Sequence, residues 1–177
     1  MNYRSDAVRE AIKEWEDHPE GRAQLYADEV GGARGADSCG YFVLRSLQRA
    51  GLAKGVKWIQ GQGFIWPLRL PQVSTPQPGD VVFVPSPFQH QALVVSFEPA
   101  TGMVTSIDGN QPGIASRVRF IKNGNIQFYS IQPLIDEAAR NEPLWPWLLW
   151  GAAVLGASAW AWINPGKIDR ALRRVGI

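Results

Sequence analysis

Over residues 5–16 the apolar positions recur at helical spacing, with Ala7, Ala11, Ile12 and Trp15 on one side and Arg9, Glu10, Lys13 and Glu14 mostly on the other. This is the pattern of an amphipathic helix. It should stop at His18-Pro19, because a residue before proline is pushed out of the α region. A short helix is predicted over 22–29. Gly31-Gly32-Ala33-Arg34-Gly35 then gives a flexible approach to a third helix over 39–50. Ser38 or Asp37 is placed to cap that helix, Phe42, Val43 and Leu47 face a core, and Gly51 takes the position after its end.

Residues 51–78 are broken up by four prolines and several glycines and carry Trp58, Phe64 and Trp66, which either cover a small core or line a groove. From residue 80 the period shortens to that of strands, predicted over 80–84, 91–97, 103–107, 117–121 and 125–131. Turn residues join them, including Ala100-Thr101-Gly102 and the hairpin signal Asn123-Gly124. Helices first and strands afterwards indicate an α+β domain, with a bent antiparallel sheet packed on the third helix.

The pattern changes again after residue 132. Residues 133–143 read as a short helix or linker, and 144–163 are 20 residues without a charge. Trp145, Trp147 and Trp150 mark one end of this run and Trp160 and Trp162 the other. That length crosses a bilayer core of about 30 Å with aromatic residues at both interfaces. A buried C-terminal helix is the alternative, since the run is rich in Ala and Gly. Acidic Asp136, Glu137 and Glu142 precede it, and a basic tail over 164–177 with Lys167, Arg170, Arg173 and Arg174 follows, so the tail is expected on the cytoplasmic side. Ala152 and Gly156, like Ala153 and Ala157, have the spacing that permits self-association in a membrane.

A chain of 177 residues with 45% apolar content holds one compact domain, here 1–132, plus such an accessory segment. The net charge of +2, without a basic run interleaved with aromatics in the domain, argues against nucleic acid as a partner. No apolar leader is visible in the first residues. A single cysteine allows no internal disulfide and leaves one free thiol.

That thiol, Cys39, falls where a loop gives way to a helix. Unpaired backbone N–H groups and the positive end of the macrodipole there favour the thiolate. The alternative is an inert core cysteine. His90 opens the apolar run Gln91-Ala92-Leu93-Val94-Val95 and is the only plausible base, because His18 lies in a polar loop beside Pro19. On a strand of period two it shares a face with Ala92, Val94 and Ser96, and Gly40 leaves the neighbourhood of the thiol open. Asp108-Gly109-Asn110 is either a turn or the source of a residue that orients the imidazole. The order is helix-borne Cys, strand-borne His, then a short polar residue, the outline of a papain-like site.

Four pieces in this order resemble the CHAP domain, a cysteine amidase or peptidase module of phage and bacterial cell-wall hydrolases within the NlpC/P60 group. They are Ser38-Cys39-Gly40-Tyr41-Phe42-Val43, Pro78-Gly79-Asp80-Val81-Val82-Phe83, His90-Gln91-Ala92-Leu93-Val94-Val95 and Ile107-Asp108-Gly109-Asn110. Ser38 stands where such sequences often have Trp. Acyltransferases of the lecithin-retinol type share several of these features, but their histidine precedes their cysteine.

The resemblance implies a papain-like (NlpC/P60/CHAP) fold with Cys39 as nucleophile, His90 as base, and Asp108 or Asn110 orienting it. An upstream calcium-binding Asp cluster found in some members is missing, so neither a metal nor a cofactor is expected. The implied activity is hydrolysis of an amide bond in peptidoglycan; the uncharged run adds a membrane anchor, and with no leader visible, carriage in a virion is the expected route to the wall. Its partners would be peptidoglycan, membrane lipid and other virion proteins or a second copy. Two alternatives are a cysteine peptidase or antibacterial effector acting off the wall, and a catalytically silent structural membrane protein of a virion.

Overall fold

A computed structural model describes residues 2–34, 38–60, 62–85, 89–110, 114–121 and 125–141, with Asn110 and 114–121 described by their backbone. The helices among them are α1 (Tyr3–Asp17), α2 (Ala23–Val30), α3 (Cys39–Arg49) and α4 (Gln132–Arg140). The strands are β1 (Gln72–Val73), β2 (Val81–Val84), β3 (His90–Glu98), β4 (Met103–Asn110), β5 (Ile114–Ile121) and β6 (Gln127–Tyr129). They form one antiparallel sheet in the order β1-β6-β2-β3-β4-β5, and the fold is α+β.

The Asn123-Gly124 turn expected between the last two strands lies outside the described residues, and those two strands do not pair with each other. β5 pairs with β4, whereas β6 crosses to the other side of the sheet and inserts between β1 and β2. The two-residue strand β1 lies within the stretch read as irregular. The turn at Ala100-Thr101-Gly102 does join a hairpin, β3 to β4, with Gly102 at a φ of 70° and its N–H donating to the Glu98 carbonyl.

Side chains from α1, α2 and α3 meet one face of the sheet. The larger apolar cluster joins Ala7, Ala11, Tyr26, Val30, Phe42, Leu44 and Leu47 to Val81, Phe83, Leu93 and Ile107. A smaller cluster of Val82, Ala92, Val94, Val104 and Phe128 comes from the alternating strand positions on the other face. A bulge between Val94 and Ser96 shifts the register. Beyond it Phe97, not Ser96, packs with the smaller cluster, so Ser96 does not continue the face of Ala92 and Val94.

Glu14 overturns the simple amphipathic reading of α1, because it is buried rather than on the wet side. Arg22 donates to both of its carboxylate oxygens at 2.7 and 2.6 Å, Arg45 donates at 3.0 Å and the Tyr26 hydroxyl at 3.1 Å. Arg45 is itself buried and also reaches Glu29 at 2.8 Å. A buried carboxylate is tolerated only with such pairing, and here it pins the three helices together.

Asp80 of the Pro-Gly-Asp segment is a second tether. It accepts from Arg4 at 2.6 Å, from the Gln77 N–H at 2.8 Å and from the Ile131 N–H at 3.1 Å, joining α1, the turn into β2 and the end of β6. Residues 133–140, read as a short helix or linker, are helical and belong to α4, which packs Leu134 into the core. Met1–Arg140 form one compact unit. The expected span over 144–163 and tail over 164–177 lie outside the described residues, among which no helix is long and apolar enough to cross a membrane.

Candidate active site

Cys39 is the first residue of α3, as its sequence setting predicts. Ser38 occupies the cap position, but it has helical dihedrals and its side chain caps nothing. Asp37 lies outside the described residues. The bond from the Phe42 N–H to the Ser38 carbonyl, 2.9 Å, opens the helical ladder. The N–H groups of Cys39 and Gly40 therefore precede it without an i−4 partner inside the helix. Cys39 is 7% exposed. A side chain in the first helical turn leans back toward the N-terminus, which carries the thiol past the end of the packed helix.

Gly40 does not leave open space beside the thiol. A Cβ there would lie 2.3 Å from the Trp58 ring and 3.0 Å from Gln91 Oε1. Trp58 fills that position and meets Tyr41 edge to face, centroids 4.7 Å apart. Its N–H donates to the Val30 carbonyl at 2.8 Å, fixing the loop after α3 against α2. Trp58 thus covers the core next to Cys39. Gly32 is likewise a packing glycine, with the Tyr41 ring where its Cβ would be.

His90 begins β3 opposite Val84 of β2, and Asp108 lies in β4 opposite Ser116 of β5. Asp108-Gly109 is strand, not turn. Gly109 serves close approach instead, since a Cβ on it would fall 2.7 Å from the Phe42 Cβ of α3. By alternation, Asp108 then belongs to the same face of the sheet as His90. His90 Nε2 is 2.9 Å from Asp108 Oδ2, with Asp108 only 2% exposed on its side chain and His90 20%.

Cys39 is the second group that acts on the imidazole and favours its protonated form. Burial opposes a charge on His90, yet Asp108 and Cys39 outweigh it and raise the pKa to about 10. At neutral pH His90 is an imidazolium held between a carboxylate and the sulfur. Such a pair can deliver a thiolate to a carbonyl carbon and a proton to a departing amine.

Cys39, His90 and Asp108, separated by 51 and 18 positions in the chain, are thus brought together. Asn110 ends β4, paired with Ile114, two positions beyond the residue that holds His90. Gln91 was not singled out by sequence reasoning. It is 3% exposed on the strand face that meets α3, and its Oε1 makes no hydrogen bond. Its signal was a lone amide in a run of buried apolar residues. Among the described residues no group of three His, Cys, Asp or Glu side chains could hold a metal ion. No protein-family model, no curated protein and no solved structure matches the chain.

Proposed function

We propose that this chain is a papain-like cysteine hydrolase that cleaves an amide bond of peptidoglycan, as an amidase or endopeptidase. The observation that carries the reading is His90, 2.9 Å from the Asp108 carboxylate and influenced by Cys39 as well, with Cys39 at a helix N-terminus. The ordered CHAP-like segments supply the substrate class. The uncharged run over 144–163 supplies an anchor that keeps the enzyme at a membrane, and carriage in a phage particle would bring the domain and anchor to the host envelope together.

In the reaction the Cys39 sulfur pair forms a C–S bond to the carbonyl carbon and the C=O pair moves to oxygen, giving a tetrahedral oxyanion. The N–H of Cys39 faces that oxygen. Collapse breaks the C–N bond, and the amine leaves with the proton of His90. Water then attacks the thioester, its proton passing to neutral His90, and the acid product departs as the thiolate is restored. Asp108 holds the ring through Nε2 throughout.

Digestion of purified peptidoglycan by the full chain in detergent, beside Cys39→Ala, tests this. New amino termini seen by mass spectrometry only with the unsubstituted protein support it and identify the bond. An intact wall together with cleaved protein substrates would move the activity off the wall, and a Cys39 inert to alkylation would indicate a silent structural protein.

A further inference from the structure

Among the described residues two large hydrophobic side chains are exposed, Ile59 at 44% and Trp66 at 48%, and both belong to the segment between α3 and β1. The three aromatic residues of that segment have separate fates. Phe64 is buried in the core, Trp58 lies against Gly40 of the helix that carries Cys39, and Trp66 stays at the surface. The Trp66 ring meets Phe83 edge to face, centroids 5.0 Å apart, and Tyr129 at 6.3 Å. Phe83 precedes Val84, the partner of His90 in the sheet. The segment therefore borders both the Cys39 helix and the strand paired with the base.

Its charges are unbalanced. Residues 51–79 contain Lys54, Lys57 and Arg69 and no Asp or Glu, and all three cations are exposed. Every arginine before residue 50 is ion-paired with a carboxylate, whereas these three cations have no carboxylate partner among the described residues. Lys57 donates to the Glu29 carbonyl at 3.4 Å.

Arg69 keeps its place under strain. The Leu70 N–H donates to the Ile65 carbonyl at 3.1 Å and the Arg69 N–H to the Trp66 carbonyl at 2.9 Å, the pattern that closes a helical turn on a left-handed residue, usually glycine. Arg69 fills that position at a φ of 51°, where a Cβ is disfavoured. A charged side chain retained where glycine fits better marks a use for that side chain, and the same turn carries Trp66.

We propose that this surface binds an anionic glycan, with a sugar ring on the Trp66 indole and the acidic groups of the polymer paired with Arg69, Lys57 and Lys54. The inference deepens the wall-hydrolase reading and rests on it for the source of the glycan. A pyranose ring presents an apolar C–H face that an indole matches, and the exposed amides of Gln60 and Gln62 in the same segment suit its hydroxyls. A lipid surface calls for a broader apolar face than one indole and one isoleucine. Cations spread along a segment suit an extended polymer, whose acids are carboxylates of peptide stems or phosphodiesters of chains attached to the wall. Because the segment borders the site, glycan held there keeps its peptide branches in the neighbourhood of Cys39.

Binding is measured without cleavage, by cosedimentation of the full chain carrying Cys39→Ala, in detergent, with purified cell walls before and after hydrofluoric acid extraction, which removes phosphodiester polymers. Circular dichroism checks folding. Trp66→Ala and Trp66→Leu should each weaken binding about 10-fold at any salt concentration, Leu keeping apolar cover without the flat ring. Arg69→Gln and the paired Lys54→Gln and Lys57→Gln should weaken it at low salt and match the parent at high salt. Arg69→Gly should melt no lower than the parent, since glycine relieves the strained φ, yet lose as much affinity as Arg69→Gln. A charge effect that disappears on extraction assigns the phosphodiesters, and one that persists assigns the carboxylates.

Undiminished wall binding in folded Trp66→Leu and Arg69→Gly would overturn the proposal. So would variants that bind walls normally but lose binding to short-chain phosphatidylglycerol micelles, which would assign the surface to lipid. Walls bound through Trp66 but left intact by the unsubstituted chain would uphold the surface and remove the hydrolase. Walls cut by the unsubstituted chain and bound independently of Trp66 would remove the surface alone.

Discussion

His90 Nε2 lies 2.9 Å from Asp108 Oδ2, and this contact joins β3 to β4 through a carboxylate whose side chain is 2% exposed. It holds the charged ring against the loss of solvation that burial imposes. Replacing Asp108 by Asn keeps the shape and removes the charge. The His90 pKa should then fall from about 10 toward its ordinary 6.5, because only Cys39 is left to oppose burial. An NMR titration of the His90 ring reads the shift directly. The rate of Cys39 alkylation at pH 7 should fall with it, since the imidazolium beside the sulfur is lost.

The same elevated pKa makes stability depend on pH. An unfolded imidazole titrates near 6.5 and the folded one near 10, so the folded state binds more protons in between. The contribution of His90 is complete below pH 6.5 and is lost as the pH rises through about 10. Urea midpoints should therefore decline across this window, and decline less in Asp108→Asn. The buried Tyr26 hydroxyl, pushed up by burial to about 12, adds a further loss only above pH 10. A midpoint that stays level from pH 6.5 to 10 would contradict the ion pair.

Much of this arrangement was legible because it depends on local signals. The helix start at Cys39, the apolar run after His90 and the turn at Gly102 are set by residues adjacent in the chain. What was not legible depends on contacts between distant segments. Asp108-Gly109 has the composition of a turn, yet the glycine is there because α3 crosses β4 with no room for a Cβ. The placement of β6 beside β2 follows from a crossover that the Asn-Gly signal cannot report. Glu14 is buried on account of Arg22 and Arg45, which lie 8 and 31 positions away. The bulge after Val94, which redirects Ser96, has no marker in an unbroken apolar run.

The Glu14 cluster gives a prediction independent of catalysis. Burial disfavours its charge, but the bonds and charges of Arg22 and Arg45 prevail and hold its pKa below the usual 4.5. Its contribution is present above pH 4.5 and is lost as the pH falls through the lowered folded value. Glu14→Ala leaves the buried Arg45 with one carboxylate fewer and should cost about 3–5 kcal/mol, the range for breaking a buried pair from one side. Chemical denaturation measures the loss. Activity per folded molecule should be unchanged, because no atom of this cluster belongs to the Cys39 site.

Two glycines of the site should respond differently to alanine. At Gly40 the obstructing atoms are the far edge of the Trp58 ring, 2.3 and 2.6 Å from the new Cβ, and a ring can swing outward. At Gly109 the obstruction is the Phe42 Cβ at 2.7 Å, which is fixed to the backbone of α3. Relief there requires α3 to move away from β4, and the same movement separates Cys39 on the helix from Asp108 and His90 on the sheet. Gly109→Ala should therefore cost about 1–3 kcal/mol of stability from overpacking. It should also slow turnover by about 10²-fold, the penalty for misplacing reacting groups by around an ångström. Gly40→Ala should keep the His90–Asp108 contact and change the covering of the site instead, leaving the His90 titration in place while Trp58 fluorescence shifts toward that of exposed indole. Paired melts and His90 titrations of the two variants distinguish a displaced helix from a displaced ring, and a Gly109→Ala protein with unaltered turnover would show that the helix-to-strand distance does not set the reaction geometry.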